Sequence, residues 1–161
     1  MTEGTLRPNS SNSTLFHSFD IFSPESAAVV FDLRDSQNSI DTSTVNTIIS
    51  RVTGSSSSSI DGFLGIDQDA GTPTPDLFLI NPNGIDFGVN AFVSVPGSFV
   101  ASTAESILFE EGVAFSALDA SGAPPLLTVS APIGLQMGAN QVLALAIAVL
   151  STPSAPIQQQ P

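Results

Sequence analysis

Short apolar runs alternate with polar turns along most of the chain. Gly, Pro, Asn or Asp stands at almost every junction, and few windows sustain the spacing of an amphipathic helix. Many short strands with frequent turns indicate an all-β domain, for which a sandwich, a barrel and a solenoid are the candidates. The pattern predicts strands at 15–22, 27–33, 46–53, 60–66, 77–80, 91–95, 98–101, 106–109, 113–115 and 126–129.

The spacing of the later runs favours the solenoid. A solenoid stacks each coil on the next, so its strands are parallel and its turns are rich in Gly and Asn. Phe78 and Phe99 lie 21 positions apart, which is close to the length of one coil. A run of five serines, 55–59, is consistent with either a flexible linker or a turn on a larger scaffold.

Composition narrows the classes of function. The chain has 161 residues, 42% of them hydrophobic, which is enough for one domain with a real core. Its net charge of −12, with only three basic residues, excludes binding to nucleic acid and to anionic lipid surfaces. Cysteine is absent and His17 is the only histidine, so no thiolate site and no cluster of imidazoles can form within one chain. We therefore predict no cofactor and no metal.

No membrane-inserted segment is expected. The longest apolar run, Val142 to Leu150, has nine residues and is too short to cross a bilayer as a helix. The first residues show neither the basic stretch nor the apolar core of a secretory signal. The sequence is that expected of a soluble chain or of the mature part of a processed one.

A tight turn is predicted at Asn81, Pro82, Asn83, Gly84 and Ile85. Proline fixes one backbone angle, while Asn and Gly tolerate the left-handed region. This segment and five others, in order from about Asn12 to Gly138, resemble the filamentous haemagglutinin N-terminal domain, the secretion domain of two-partner secretion (TPS) exoproteins, in its cyanobacterial type. The matching stretches are 15–19, 49–54 with 60–62, 77–88 (LFLINPNGIDFG), 97–104, 125–129 and 132–136.

The resemblance implies a right-handed parallel β-helix with an N-terminal capping region. It further implies a secreted or cell-surface exoprotein that crosses the outer membrane through a partner β-barrel transporter of the Omp85 type. The periplasmic domains of that transporter would bind and recognise the secretion domain, and Asn81 to Ile85 match the family's export motif. The alternative is a truncated adhesive β-helix module that binds carbohydrate or protein, such as a ligand on a host or matrix surface.

Three segments are expected along the chain. Residues 1–13 are small and polar and predict a flexible N-terminal arm. Residues 14–138 form the secretion domain, because the resemblance covers them. Residues 139–161 diverge from the family and comprise an apolar segment followed by a Pro/Gln tail.

Catalysis is not predicted, and no catalytic residue is assigned. Parallel β-helices also host lyases and hydrolases, and the carboxylates could pair for acid and base chemistry. A lyase, however, needs a base or cation beside the acid group of its substrate, and the chain has three Arg and no Lys. The Gly-x-Ser-x-Gly elbow that would activate a serine near His17 is also missing. The carboxylates considered are Asp32, Asp35, Asp61, Asp67, Asp69, Asp76 and Asp86.

Two further features carry expectations. The stretch Asp67 to Gly71 contains half of a calcium loop but lacks the distal Glu, so no calcium site is predicted. Arg51 lies in a stretch that carries the family resemblance, and we expect either a structural ion pair with a carboxylate on a neighbouring coil or a solvated charge.

Overall fold

The protein is described here from a computed structural model, which covers residues 5–8, 13–34, 42–120 and 132–139. A turn of 3-10 helix at Glu110–Gly112 interrupts an otherwise all-β structure in these residues. Its strands are β1 Thr5–Pro8, β2 Ser13–Phe19, β3 Val29–Asp32, β4 Val45–Val52, β5 Ser58–Ile60, β6 Phe63–Asp67, β7 Asp76–Ile80, β8 Ile85–Phe87, β9 Phe92–Ser94, β10 Phe99–Ser102, β11 Ser106–Leu108, β12 Ala114–Ser116 and β13 Gly134–Gln136.

The strands from β2 to β10 wind into a parallel β-helix. Strands β2, β4, β7 and β10 pair in parallel in one sheet, which we call the long sheet. Strands β5 and β8 form a second parallel sheet, and β3, β6 and β9 form a third. Between β4 and β10 the chain therefore visits the three sheets in the same order twice, which is the path of a solenoid. The fold class predicted from the sequence is confirmed.

Apolar side chains stack in register inside the coils. Leu15, Ile48, Leu77 and Phe99 occupy matching positions on the four parallel strands of the long sheet, and none is more than 5% exposed. Each coil thus buries its inward residues against the coils before and after it, a contact that no single coil can make alone. This ladder is the centre of the larger hydrophobic core.

The opposite face of the long sheet is also covered. Strand β11 pairs antiparallel with both β12 and β13, and these three strands form what we call the outer sheet. Phe16, Ile49 and Ile80 of the long sheet pack with Ile107 and Phe115 of the outer sheet in a second core. Burial on both faces explains why neighbouring apolar residues are buried together in these strands, such as Leu15 with Phe16 in β2 and Ile48 with Ile49 in β4.

The structure differs from the sequence prediction at several positions. Residues 60–66 do not form one strand, because the chain turns at Gly62 and divides them between β5 and β6. The coil repeat between β7 and β10 is 22 residues, from Leu77 to Phe99, so Phe78 and Phe99 point to opposite faces of the sheet.

The predicted arm over residues 1–13 contains β1, which pairs antiparallel with the start of β2. Backbone pairing along the edge of β2 places residues 5–8 in the sheet, although their sequence has no apolar periodicity. The strand predicted at 126–129 and the apolar run 142–150 lie outside the described residues. Within the described ranges, no helix is long and apolar enough to cross a membrane.

Candidate functional site

The residues of the predicted export motif form the turn between β7 and β8. Asn81 follows the last residue of β7 and is fully buried, while Pro82 is half-buried and Asn83 is exposed. Ile85 is the first residue of β8. The turn is stacked on the turn of the previous coil, which runs through residues 53–57 between β4 and β5.

The side chain of Asn81 uses its full hydrogen-bonding capacity. Its Nδ2 donates to the carbonyl oxygen of Ser56 at 3.0 Å and to Oγ of Ser58 at 2.9 Å. Its Oδ1 accepts from the backbone N–H of Asn83 at 3.0 Å and from Nδ2 of Asn83 at 3.1 Å. An amide offers two donor and two acceptor positions, so the burial of Asn81 leaves none unsatisfied.

The backbone of Asn81 extends the same network to the next coil. Its N–H donates to the carbonyl oxygen of Ser102, the last residue of β10, at 3.0 Å. Its carbonyl oxygen accepts from the N–H of Gly84 at 3.1 Å, which closes the turn. One residue thereby joins three successive coils, and we call Asn81 with its partners Ser56, Ser58, Asn83 and Ser102 the coil latch.

Asn83 and Gly84 complete the turn in different ways. Nδ2 of Asn83 donates to the carbonyl oxygen of Gly54 at 2.8 Å, and the carbonyl oxygen of Gly84 accepts from the N–H of Ser58 at 2.9 Å. Gly84 has a φ of 118°, a region that favours glycine. Asn83 is not among the described residues with positive φ, so its contribution is its side-chain hydrogen bonding rather than left-handed geometry.

The serine run supports this turn and does not act as a linker. Ser55, Ser56 and Ser57 form an exposed turn, whereas Ser58 begins β5 and is fully buried. Ser58 supplies both an acceptor for Asn81 and a donor for Gly84. Sequence reasoning missed this role because five identical serines give no sign of which one faces the interior.

Arg51 is buried between the long sheet and the outer sheet, and is only 2% exposed. Its Nε donates to Oγ of Ser18 at 2.8 Å, and one terminal nitrogen donates to the carbonyl oxygen of Ser116 at 2.6 Å. The guanidinium carbon lies 4.0 Å from the ring centre of Phe115, which is a cation–π contact. Arg51 therefore ties strands β2 and β4 to β12.

The electrostatics of Arg51 differ from the expectation of a solvated charge. Burial lowers the pKa of Arg51 below its ordinary value, and the negative charge of Asp119 opposes that shift. Asp119 follows β12 and does not belong to a neighbouring coil. The ion pair with a neighbouring coil stays a prediction, and the contacts described above are those of a structural tie.

Several of the carboxylates considered for acid and base chemistry bind turns of the backbone. Asp61 accepts from the N–H of Asn90 at 2.8 Å and from its Nδ2 at 2.9 Å, and these hydrogen bonds lower the pKa of Asp61. Asp76 accepts from the N–H of Ser98 at 2.6 Å. Both aspartates thus cap turns of the coil.

A small charged cluster lies on β3 and β6. Arg34 forms salt bridges with Asp32 and Asp67. The hydrogen bond from the side chain of Arg34 is the main cause that lowers the pKa of Asp32, to about 2. Among the described residues, no three His, Cys, Asp or Glu side chains come together as a metal site would require.

His17 is a packed core residue. It is 3% exposed and stacks on Phe19 with ring centres 5.8 Å apart, and it also contacts Phe31. Oγ of its neighbour Ser18 accepts a hydrogen bond from Nε of Arg51, and Ser18 faces the other side of the sheet. The two side chains therefore do not form a nucleophile and base pair.

Comparison with known proteins assigns the chain to a family. The family model described as the TPS secretion domain matches residues 2–157. This range includes the predicted N-terminal arm and most of the segment from 139 onward. No curated protein matches significantly, and no solved structure does.

Proposed function

The chain belongs to the TPS secretion domain family, and from this membership we propose that an outer-membrane transporter of the Omp85 type recognises it through its periplasmic domains. The chain is a secretion-targeting domain of a two-partner secretion exoprotein. The finer proposal is that Asn81 to Ile85 are required for export. Secretion targeting requires that the domain folds and that the transporter recognises it, but it requires no catalytic turnover.

The observation that carries the proposal is the position of Asn81. A fully buried side chain with four hydrogen bonds cannot touch a partner in the folded coil. We infer that Asn81 acts by building the turn that joins successive coils. The exposed Asn83 is the member of the motif that a transporter can reach once the turn has formed.

Coil closure gives a physical basis for directional export. The chain crosses a narrow barrel as an extended segment, and a coil that closes outside the membrane is too wide to slide back. Each closed coil buries apolar side chains such as Ile48 and Leu77, so folding on the outside is favourable. A motif that speeds or stabilises the closing of a coil would therefore promote export.

The export assay uses the chain with a signal peptide, coexpressed with its cognate transporter. We expect the unchanged domain to reach the medium and the double variant Asn81→Ala with Asn83→Ala to accumulate in the periplasm. Asn90→Ala is the matched control, because Asn90 also holds a turn but lies outside the motif. Normal export of the double variant would remove the motif from the mechanism, and equal export without the transporter would overturn the secretion role.

Binding and stability measurements separate the two parts of the proposal. The single variants Asn81→Ala and Asn83→Ala are titrated against the isolated periplasmic domains, and their urea midpoints are measured in parallel. A role in folding predicts that Asn81→Ala lowers the midpoint strongly. A contact role predicts that Asn83→Ala, which loses two hydrogen bonds at an exposed residue, weakens binding although its midpoint falls less than that of Asn81→Ala. If neither quantity changes in either variant, the motif has no part in recognition or folding.

The adhesive module remains the second hypothesis from the sequence. It predicts that the purified domain binds carbohydrate or protein on a host or matrix surface whether or not a transporter is present. Export that depends on the transporter, with no retention on such surfaces, would favour the secretion role alone.

A further inference from the structure

We propose that Asn83 is a site of spontaneous deamidation that the folded coil suppresses and the unfolded chain permits. Asn83 and Gly84 are the one Asn-Gly pair in the sequence. Glycine has no side chain to hinder attack by its backbone nitrogen, and it lets the chain reach the bent geometry of a cyclic imide. Asparagine is accordingly a chemically labile residue at such a position.

The reaction needs only water. The backbone nitrogen of Gly84 attacks Cγ of Asn83, a new N–C bond closes a five-membered imide, and the bond from Cγ to Nδ2 breaks. The hydrogen of the Gly84 N–H leaves with the Nδ2 group as ammonia. A water molecule then opens one of the two imide C–N bonds, which yields aspartate or isoaspartate.

In the folded coil, both reacting groups are held by other partners. The N–H of Gly84 donates to the carbonyl oxygen of Asn81 at 3.1 Å. Nδ2 of Asn83 donates to the carbonyl oxygen of Gly54 at 2.8 Å and to Oδ1 of Asn81 at 3.1 Å. Ring closure must break these bonds, so the turn has to open first, and the rate in the folded chain falls with the fraction of time that it is open.

The other asparagines of the described turns lack this combination. The nitrogen that follows Asn81 belongs to Pro82 and carries no hydrogen, so the imide route is closed. Asn90 is followed by Ala91, whose methyl group hinders attack, and Asn90 provides an internal comparison.

The deamidated product would disrupt the turn when the chain folds. A carboxylate at position 83 has no N–H to donate, yet it would face the carbonyl oxygen of Gly54 and Oδ1 of Asn81. Three acceptors in contact repel one another, and isoaspartate also lengthens the backbone by one carbon. If the proposed function holds, a chain that waits unfolded before export loses its motif with time, while a folded chain keeps it.

The experiment follows the mass of peptides from the full chain during incubation in mildly alkaline buffer, either folded or unfolded in concentrated urea. We expect Asn83 to deamidate about tenfold faster or more in the unfolded chain, and Asn90 to remain much slower than Asn83 there. Equal rates for Asn83 in the two states would overturn the inference. So would an unfolded chain in which Asn83 is no faster than Asn90.

Variants test whether the hydrogen bonds to Asn81 provide the protection. Under folding conditions, verified by circular dichroism, Asn81→Ala should deamidate faster at Asn83 than the unchanged chain, while Asn90→Ala should not. No acceleration in Asn81→Ala would show that this contact does not protect the site and would overturn that part of the inference. These measurements need no transporter, so their failure leaves the proposed function standing, and failure of the export assay leaves them standing.

Discussion

Replacing Asn81 by alanine tests whether the coil latch stabilises the fold. The substitution removes four side-chain hydrogen bonds that join two coils and close the turn. It also leaves the buried hydroxyl of Ser58 without its partner in the latch. The backbone hydrogen bonds of residue 81 to Ser102 and Gly84 are retained, so the effect reports on the side chain.

The expected magnitude follows from the net value of a hydrogen bond. Each is worth about 0.5–1.5 kcal/mol, and the bonds to Asn83 count at the low end because Asn83 is exposed, so the total loss is about 2–4 kcal/mol. With a urea dependence of about 2 kcal/mol per molar for a domain of this size, the midpoint should fall by about 1–2 M.

The assay is equilibrium unfolding in urea, followed by circular dichroism. The matched control is Asn90→Ala, which removes one exposed hydrogen bond from Nδ2 to Asp61 and should cost less than about 1 kcal/mol. A decrease in the urea midpoint for Asn81→Ala that is no larger than that for Asn90→Ala would contradict a stabilising role for the side chain of Asn81. The burial of Asn81 would then have no energetic consequence for the coil.

Two further predictions concern the same turn and the tie between the sheets. Gly84→Val should cost about 1–3 kcal/mol, since valine is strained at a φ of 118°, whereas Ser57→Val in the exposed serine turn should cost little; similar urea midpoints for the two variants would contradict this. Arg51→Lys keeps the charge but loses the planar contact with Phe115 and the pair of hydrogen bonds to Ser18 and Ser116. We expect this substitution to lower the free energy of unfolding by about 1–3 kcal/mol and to speed amide hydrogen exchange in β12 more than in β7. Uniform exchange changes across both strands would argue against a local tie.

The turn at Asn81 to Ile85 was accessible from sequence because its chemistry is local. Proline, asparagine and glycine restrict or permit backbone angles wherever they occur, so the position of the turn was predicted correctly. The role of each residue was not. Asn81 bonds to Ser56 and Ser58, more than twenty positions earlier, and only the stacking of coils brings them within hydrogen-bonding distance.

The partners of Arg51 show the same limit. The sequence indicated a structural role for Arg51, but its partners Phe115 and Ser116 belong to the outer sheet. Ser116, which accepts its hydrogen bond, lies 65 positions later in the chain. Nothing in the run Val113 to Phe115 indicates that it turns back onto the face of the long sheet. The cation–π contact depends on the packing of two sheets, which no local pattern encodes.

An error of one residue in the coil repeat changes which face of the strand each side chain is assigned to. Counting from Phe78 to Phe99 gives 21, whereas the pairing of Leu77 with Phe99 gives 22. Because side chains alternate across a strand, this one-residue difference places Phe78 on the outer face and Phe99 in the interior.

Apolar alternation and turn chemistry act over a few residues, so the sequence alone was enough to predict the all-β class, the positions of most strands and the location of the motif turn. The absence of cysteine also rules out a thiolate site within the chain. Packing of the coils and sheets sets the register between coils, the pairing of β1 with β2, the burial of Ser58 and the environment of Arg51. These depend on which distant strands become neighbours, and many strands of similar apolar content could pair equally well until the whole coil is packed.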